Sequence, residues 1–186
     1  MLEIMLENPF NRALLDRLAE LDIPEVTLTA GCLFQMVWNV QSCQRPEWGI
    51  NDYDVFYYDP DTCWSAENRV IEQVEEATRH LGINVEVRNQ ARVHLWFKQK
   101  FGVSCEPIYS VRQGIDRFLM PVCSVGIDAA TRTLYSTHGL HDLEHGVLRM
   151  NPLIDTVDLF LAKAEYYQKR WPWLTIIPVE KGAAAG

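Results

Sequence analysis

Two aspartates one residue apart, Asp52 and Asp54, open the run Asp52–Tyr58 (DYDVFYY). In a strand, side chains at i and i+2 leave the same face, about 6.5–7 Å apart at the backbone. Their carboxylates can therefore converge on one ion. Glu86 lies between Val85 and Val87, so in a second strand the valines can enter the core while the glutamate faces the other way. Strand pairing can then gather three carboxylates. Like charges that close repel unless protonated or neutralised, and an all-oxygen cluster is what Mg²⁺ or Mn²⁺ selects. Periodicity alone also fits two aspartates on the solvent face of a half-exposed strand. Upstream, Gly31-Cys32 follows a strand-like segment and opens a helical one. Such a turn offers free backbone N–H groups and a helix dipole to a phosphate, and glycine permits close approach. A phosphate seat just ahead of an acidic strand favours the metal reading.

Four further groups could carry chemistry. Arg88, Arg92, His94, Lys98 and Lys100 form a local basic strip compatible with a phosphate-bearing small molecule. His141-Asp142-Leu143-Glu144-His145 has HxxEH spacing, but Gly139, Gly146 and Pro152 leave room for a helix of barely a turn or two, so capping or surface histidines are the expectation rather than zinc. Five cysteines (Cys32, Cys43, Cys63, Cys105, Cys123) make an odd set with no CxxC pair, which suits reduced thiols. The tryptophans read as packing residues. Trp48, in the loop before the acidic strand, is the one placed to stack on a base.

The elements that must position these residues follow from periodicity. An amphipathic helix is expected over Pro9 to Leu21, with Asn8 as N-cap and Pro9 at the first helical position. Glu25 to Thr29 reads as a strand running into Ala30-Gly31, and Leu33 to Val40 as a buried helix. Ser42 to Asn51 is a loop, Asp52 to Tyr58 a strand, and Ser65 to Leu81 a helix capped by Gly82. Asn84–Arg88 and Arg92–Phe97 both alternate, which predicts a bent strand or a hairpin. A helix near Val111 to Leu119, strands over 122–127 and 133–135, and a long amphipathic helix over 153–170 complete the chain. This order describes an α/β (α+β) fold, a small mixed sheet backed by helices.

With 186 residues and 48% hydrophobic content, one domain spanning 1–186 is expected, carrying the C-terminal helix 153–170 and a flexible Gly/Ala tail over 181–186. The net charge of −8 removes the broad attraction that drives non-specific binding to a phosphate backbone, so no extended nucleic-acid surface is expected. The acidic N-terminus is unlike a signal peptide, and no apolar run is long enough to span a bilayer. A cytoplasmic protein without membrane contact is the expectation.

The runs Gly31-Cys32-Leu33-Phe34-Gln35 through Val37-Trp38-Asn39, Asp52-Tyr53-Asp54-Val55-Phe56-Tyr57-Tyr58-Asp59 and Val85-Glu86-Val87-Arg88-Asn89-Gln90-Ala91-Arg92-Val93-His94-Leu95-Trp96, with Ile115-Asp116-Arg117-Phe118 later, resemble the small bacterial nucleotidyltransferase-like family of the DNA polymerase beta superfamily. The resemblance covers roughly Leu14 to Leu174. It implies a glycine turn at Gly31 and Cys32 holding nucleotide phosphates, and Asp52, Asp54 and Glu86 binding two Mg²⁺ (or Mn²⁺) ions for nucleotidyl transfer from a nucleoside triphosphate to an unknown acceptor. Glu86 would bind the ion nearest the nucleophile. Arg88, Arg92 and His94 become candidates for contacting phosphate or acceptor, with charge balance as the other role open to the arginines. The chain departs from the family at Cys32, where a small polar residue is usual, and in its longer loop from glycine to aspartates. A non-catalytic nucleotide-binding or regulatory module on the same fold is the alternative.

Overall fold

The computed structural model describes residues 1–154 and 156–179, with the side chain of Phe101 also left out; the tail expected over 181–186 lies outside them. A short helix α1 (Leu2–Met5) precedes α2 (Pro9–Ala19). The Asn8 side chain accepts from Phe10 N at 2.9 Å, satisfying one orphan donor of the first turn, and Pro9 takes the position where no N–H is needed. Leu14, Leu15 and Leu18 then form its buried stripe. Strand β1 (Thr27–Thr29) leads through Ala30 into α3 (Gly31–Gln41). After the loop comes β2 (Tyr53–Tyr57), α4 (Trp64–Thr78) with a 3₁₀ turn over Arg79–Leu81, and β3 (Val85–Asn89). Next are α5 (Val93–Phe101), α6 (Val111–Ile115), β4 (Val125–Asp128) and β5 (Leu134–Ser136). The chain closes with α7 (His141–His145), β6 (Val147–Leu148), α8 (Val157–Arg170) and β7 (Thr175–Ile176).

Five strands form one mixed sheet in the order β3-β2-β1-β4-β5, and β6 pairs with β7 in a small parallel ribbon. Strands β2 and β3 run parallel, with α4 as the crossover; the other pairings in the large sheet are antiparallel. Tyr53, Val55 and Tyr57 are buried while Asp54 and Phe56 are half-buried. Period-2 geometry thus sends the aromatic and β-branched residues to the core and the aspartate to the opposite face. Leu28, Val55, Val87 and Ile127 meet Leu14, Leu15, Leu18, Leu33, Val37 and Val74 in one continuous apolar cluster.

The C-terminal helix belongs to that cluster. Its Phe160, Ala164 and Tyr167, with Trp171 beyond it, are buried, and Trp38 of α3 makes edge contacts with Tyr167 and Trp171 at 5.4 and 5.2 Å. Trp171 Nε1 donates to Asn39 Oδ1 at 3.1 Å, so the indole is buried with its donor satisfied. The helix starts at Val157 rather than at residue 153.

One expected strand is a helix. Arg92–Phe97 alternates in sequence, yet the chain forms a 3₁₀ turn over Gln90–Arg92 and then α5. Asn89 ends β3 by accepting from Ala91 N with its own side chain at 3.1 Å, a local bond that diverts the backbone from the ladder. With β3 at the sheet edge, no neighbouring strand pulls it back. Gly102, at φ 77°, closes the helix in the left-handed region.

At the β1–α3 junction the strained residue is Ala30, at φ 62° and ψ −138°. A side chain in this largely glycine-only region costs about 1–3 kcal/mol. Ala30→Gly is therefore expected to raise stability by about 1 kcal/mol after the added unfolded-state entropy of glycine is subtracted. Urea unfolding measures it; a destabilised variant would mean that the Ala30 methyl contributes more packing than strain.

Candidate functional site

Register sets the geometry. Asp54 is the cross-strand partner of Glu86 on one side and of Thr29 on the other, so all three side chains leave the same face, neighbouring backbones being about 4.8 Å apart. Arg88 partners Phe56 in the next row and lies on that face too. Its Nη2 donates to Glu86 Oε2 at 3.1 Å. Asp52 stands one residue before β2 rather than within it, close enough to act on Asp54 through its charge.

Burial pushes the Asp54 carboxyl up to about 7, and the neighbouring charges of Asp52 and then Glu86 add to it; Arg88 and Lys163 act in the opposite sense. An acid taken out of water beside two others prefers to keep its proton. Asp52 and Glu86 thus lie near enough for their charges to act on Asp54. Their hard, oxygen-only chemistry fits a divalent cation, although among the described residues no three His, Cys, Asp or Glu side chains are gathered at metal-holding distance. The Arg88–Glu86 pair occupies one of the three.

The glycine turn lies beside this row, because Thr29, the partner of Asp54, is followed by Ala30 and then α3. The first N–H groups of a helix have no intrahelical acceptor, and here they belong to Gly31 and Cys32. The Cys32 side chain does not take part in that seat. It is fully buried, its Sγ contacts Thr29 O at 3.2 Å, and burial followed by the charges of Asp54 and Asp52 pushes its thiol well up.

Arg92 and His94 are placed differently from Arg88. Arg92 Nε lies 2.7 Å from Glu67 Oε2 of α4, with side-chain exposures of 13% and 5%. Its guanidinium also donates to Thr62 O and covers the Trp64 ring at 5.6 Å. Glu67 meanwhile accepts from Asn89 N at 2.9 Å. Of the two roles open to Arg92, this arrangement fits charge balance. His94, half-buried on α5, has its Nδ1 without a partner among the described residues.

Two site-facing groups escaped sequence reasoning. Lys163 of α8 acts on the Asp54 carboxylate and lies over Tyr166 and Tyr167 at 5.5 and 5.2 Å. Seven residues on, Arg170 donates to Gln35 Oε1 at 3.1 Å and to Gly49 O at 2.9 Å. A spacing of seven puts both on one helix face, but nothing in the sequence says which face meets the sheet. Trp48 packs edge-on to Trp171 at 5.8 Å with Arg170 over its ring at 5.2 Å.

The HxxEH residues form α7, five residues long. The His141 and His145 rings approach to 4.2 Å, and His145 Nδ1 donates to His141 O at 2.9 Å. No third ligand joins them among the described residues. No described helix is long and apolar enough to cross a membrane.

A family model described as "Nucleotidyltransferase" matches residues 16–176. Among solved structures, an NMR structure described as revealing a CCA-adding enzyme head domain superposes with a TM-score of 0.76 at 21% identity, covering 96% of this chain and 94% of the other. A tRNA nucleotidyltransferase crystallised with a primer tRNA and an incoming ATP analogue gives 0.51 at 15% identity over 82% of this chain and 43% of that one. At these identities the structural likeness speaks to fold. No curated protein sequence matches the chain.

Proposed function

The chain belongs to the nucleotidyltransferase family, and on that ground we propose that it transfers a nucleotidyl group from a nucleoside triphosphate to an acceptor hydroxyl with divalent metal at Asp52, Asp54 and Glu86. The observation that carries the proposal is the register of β2 against β3, which makes Asp54 and Glu86 partners beside the start of α3. The tRNA nucleotidyltransferase with an ATP analogue makes a nucleotide substrate plausible here as well.

In such a transfer the acceptor oxygen forms a bond to the α-phosphorus. The bond from that phosphorus to the bridging oxygen breaks, and pyrophosphate leaves. The acceptor proton would pass to a carboxylate, a role this reading gives to Glu86, with Arg88 turning from it to a phosphate oxygen. Bound Mg²⁺ or Mn²⁺ would neutralise the carboxylates and polarise the phosphoryl oxygens. The Gly31 turn would seat the phosphates by its N–H groups, and Lys163 would add a positive charge beside them.

One observation favours a second reading, a nucleotide-binding module without turnover: Glu86 is engaged by Arg88. Calorimetric titration with nucleoside triphosphates, with and without Mg²⁺ or Mn²⁺, is expected to show metal-dependent binding. Incubation of α-phosphate-labelled nucleoside triphosphate with a cell extract that supplies acceptor hydroxyls then separates the two readings. Binding with no label transferred to any acceptor by the natural protein supports the module, and absence of any metal-dependent nucleotide binding overturns both.

A further inference from the structure

Gln35 sits one turn into α3 from Gly31, and helical side chains lean back over the preceding turn. Its Oε1 accepts from Arg170 Nη1 at 3.1 Å. Because a guanidinium only donates, this bond decides the orientation of the amide. Nε2 is therefore turned towards the glycine, where it would stand 2.5 Å from a Cβ added to Gly31. Gly31 itself has no positive φ; a side chain there is disfavoured by this amide. Among the described residues no protein acceptor takes the Nε2 hydrogens.

Arg170 is held in turn. Its Nη2 donates to Gly49 O at 2.9 Å, and its guanidinium plane lies over the Trp171 ring at 4.4 Å and the Trp48 ring at 5.2 Å. A cation stacked on two indoles and bonded at both ends loses little freedom when it orients a neighbour. Next to this arrangement, Cys32 has turned its thiol into the core. The position after the glycine thus offers its backbone N–H and no side-chain donor.

We propose that Gln35 Nε2 is the side-chain donor to the phosphate oxygens of the nucleotide seated at the Gly31 turn, and that Arg170 is the positioning residue that aims it. The proposal rests on the reading that this turn holds the phosphates. It makes Gln35 a determinant of affinity for the phosphate chain, whatever the base.

The natural protein, Gln35→Glu, Gln35→Met and Arg170→Met are titrated with a nucleoside triphosphate and with the matching nucleoside, each with Mg²⁺, and their thermal melting is recorded. Gln35→Glu keeps size and the Arg170 contact but sets a carboxylate oxygen against the phosphate. Gln35→Met keeps length without donor or added charge. Triphosphate affinity is expected to fall about 10- to 100-fold in Gln35→Glu and about 10-fold in Gln35→Met, with melting close to natural. Arg170→Met should shift it in the same direction by less, and binding of the nucleoside should change little in any variant. Unchanged triphosphate affinity in both folded Gln35 variants overturns the proposal alone. A natural protein that binds no triphosphate overturns it together with the reading beneath it.

Discussion

Asp54→Asn is expected to give a protein that melts higher than the natural one at pH 8 while transferring nucleotide at least about a thousandfold more slowly. Both effects come from the same half-buried charge. Below pH 4 the folded and unfolded carboxyl groups both hold their protons, and Asp54 costs nothing. Between pH 4 and about 7 the unfolded chain has released a proton that the folded chain retains, so stability falls as pH rises. Above about 7 the cost is complete, on the order of 2–4 kcal/mol for a partly screened group. Asparagine removes it, which in a chain of this size raises melting by about 5–10 °C at pH 8 and changes little at pH 4. Mg²⁺ should stabilise the natural protein at pH 8 and do so much less for the variant. Losing several kcal/mol of charge stabilisation in the transition state accounts for the rate. Equal melting of the two proteins at pH 8 in chelator would show that Asp54 is not held at a raised pKa.

Arg92→Met should behave in the opposite way, losing stability while keeping nucleotide affinity. Removing one partner of a buried ion pair strands the other, at about 3–5 kcal/mol. Here the stranded group would be Glu67, which is 4% exposed and also holds the β3 backbone through Asn89 N. Glu67→Gln in the same chain keeps that backbone bond and removes the stranded charge, and is expected to recover most of the loss. Denaturant unfolding of the single and double variants, beside calorimetry with a nucleoside triphosphate, reads both quantities. A stable Arg92→Met protein with triphosphate binding weakened tenfold or more would return Arg92 to the nucleotide site.

Strands with a clear face were legible in the sequence. The alternation in Asp52–Tyr58 and Asn84–Arg88 placed β2 and β3 to within a residue at each end, and their pairing brings Asp54 and Glu86 together as two partners in one register. Arg88 and Arg92 look alike in sequence, both basic and four apart. They differ in structure because β3 ends between them, so Arg88 follows the strand's alternation and Arg92 follows a 3₁₀ turn to the other side. Alternation could not foresee that change, since Asn89 ends the strand with a side-chain bond to its own backbone. In sequence, Gly31-Cys32 offers backbone N–H groups to a phosphate and leaves the direction of the thiol open; in the folded chain the thiol lies in the core. Gln35 and Arg170 carry no local signal, because their meaning arises from a contact between helices far apart in the chain.

That contact bears on when the site comes into being during synthesis. The glycine turn, both aspartates and Glu86 leave the ribosome early, whereas Lys163 and Arg170 are the last of the site-facing groups to emerge. A nascent chain stopped before α8 carries an acidic patch with neither the lysine that offsets it nor the arginine that aims Gln35. It also leaves Trp38 without the ring contacts of Tyr167 and Trp171. Completion of the core around Trp38 and completion of the site thus both wait on α8.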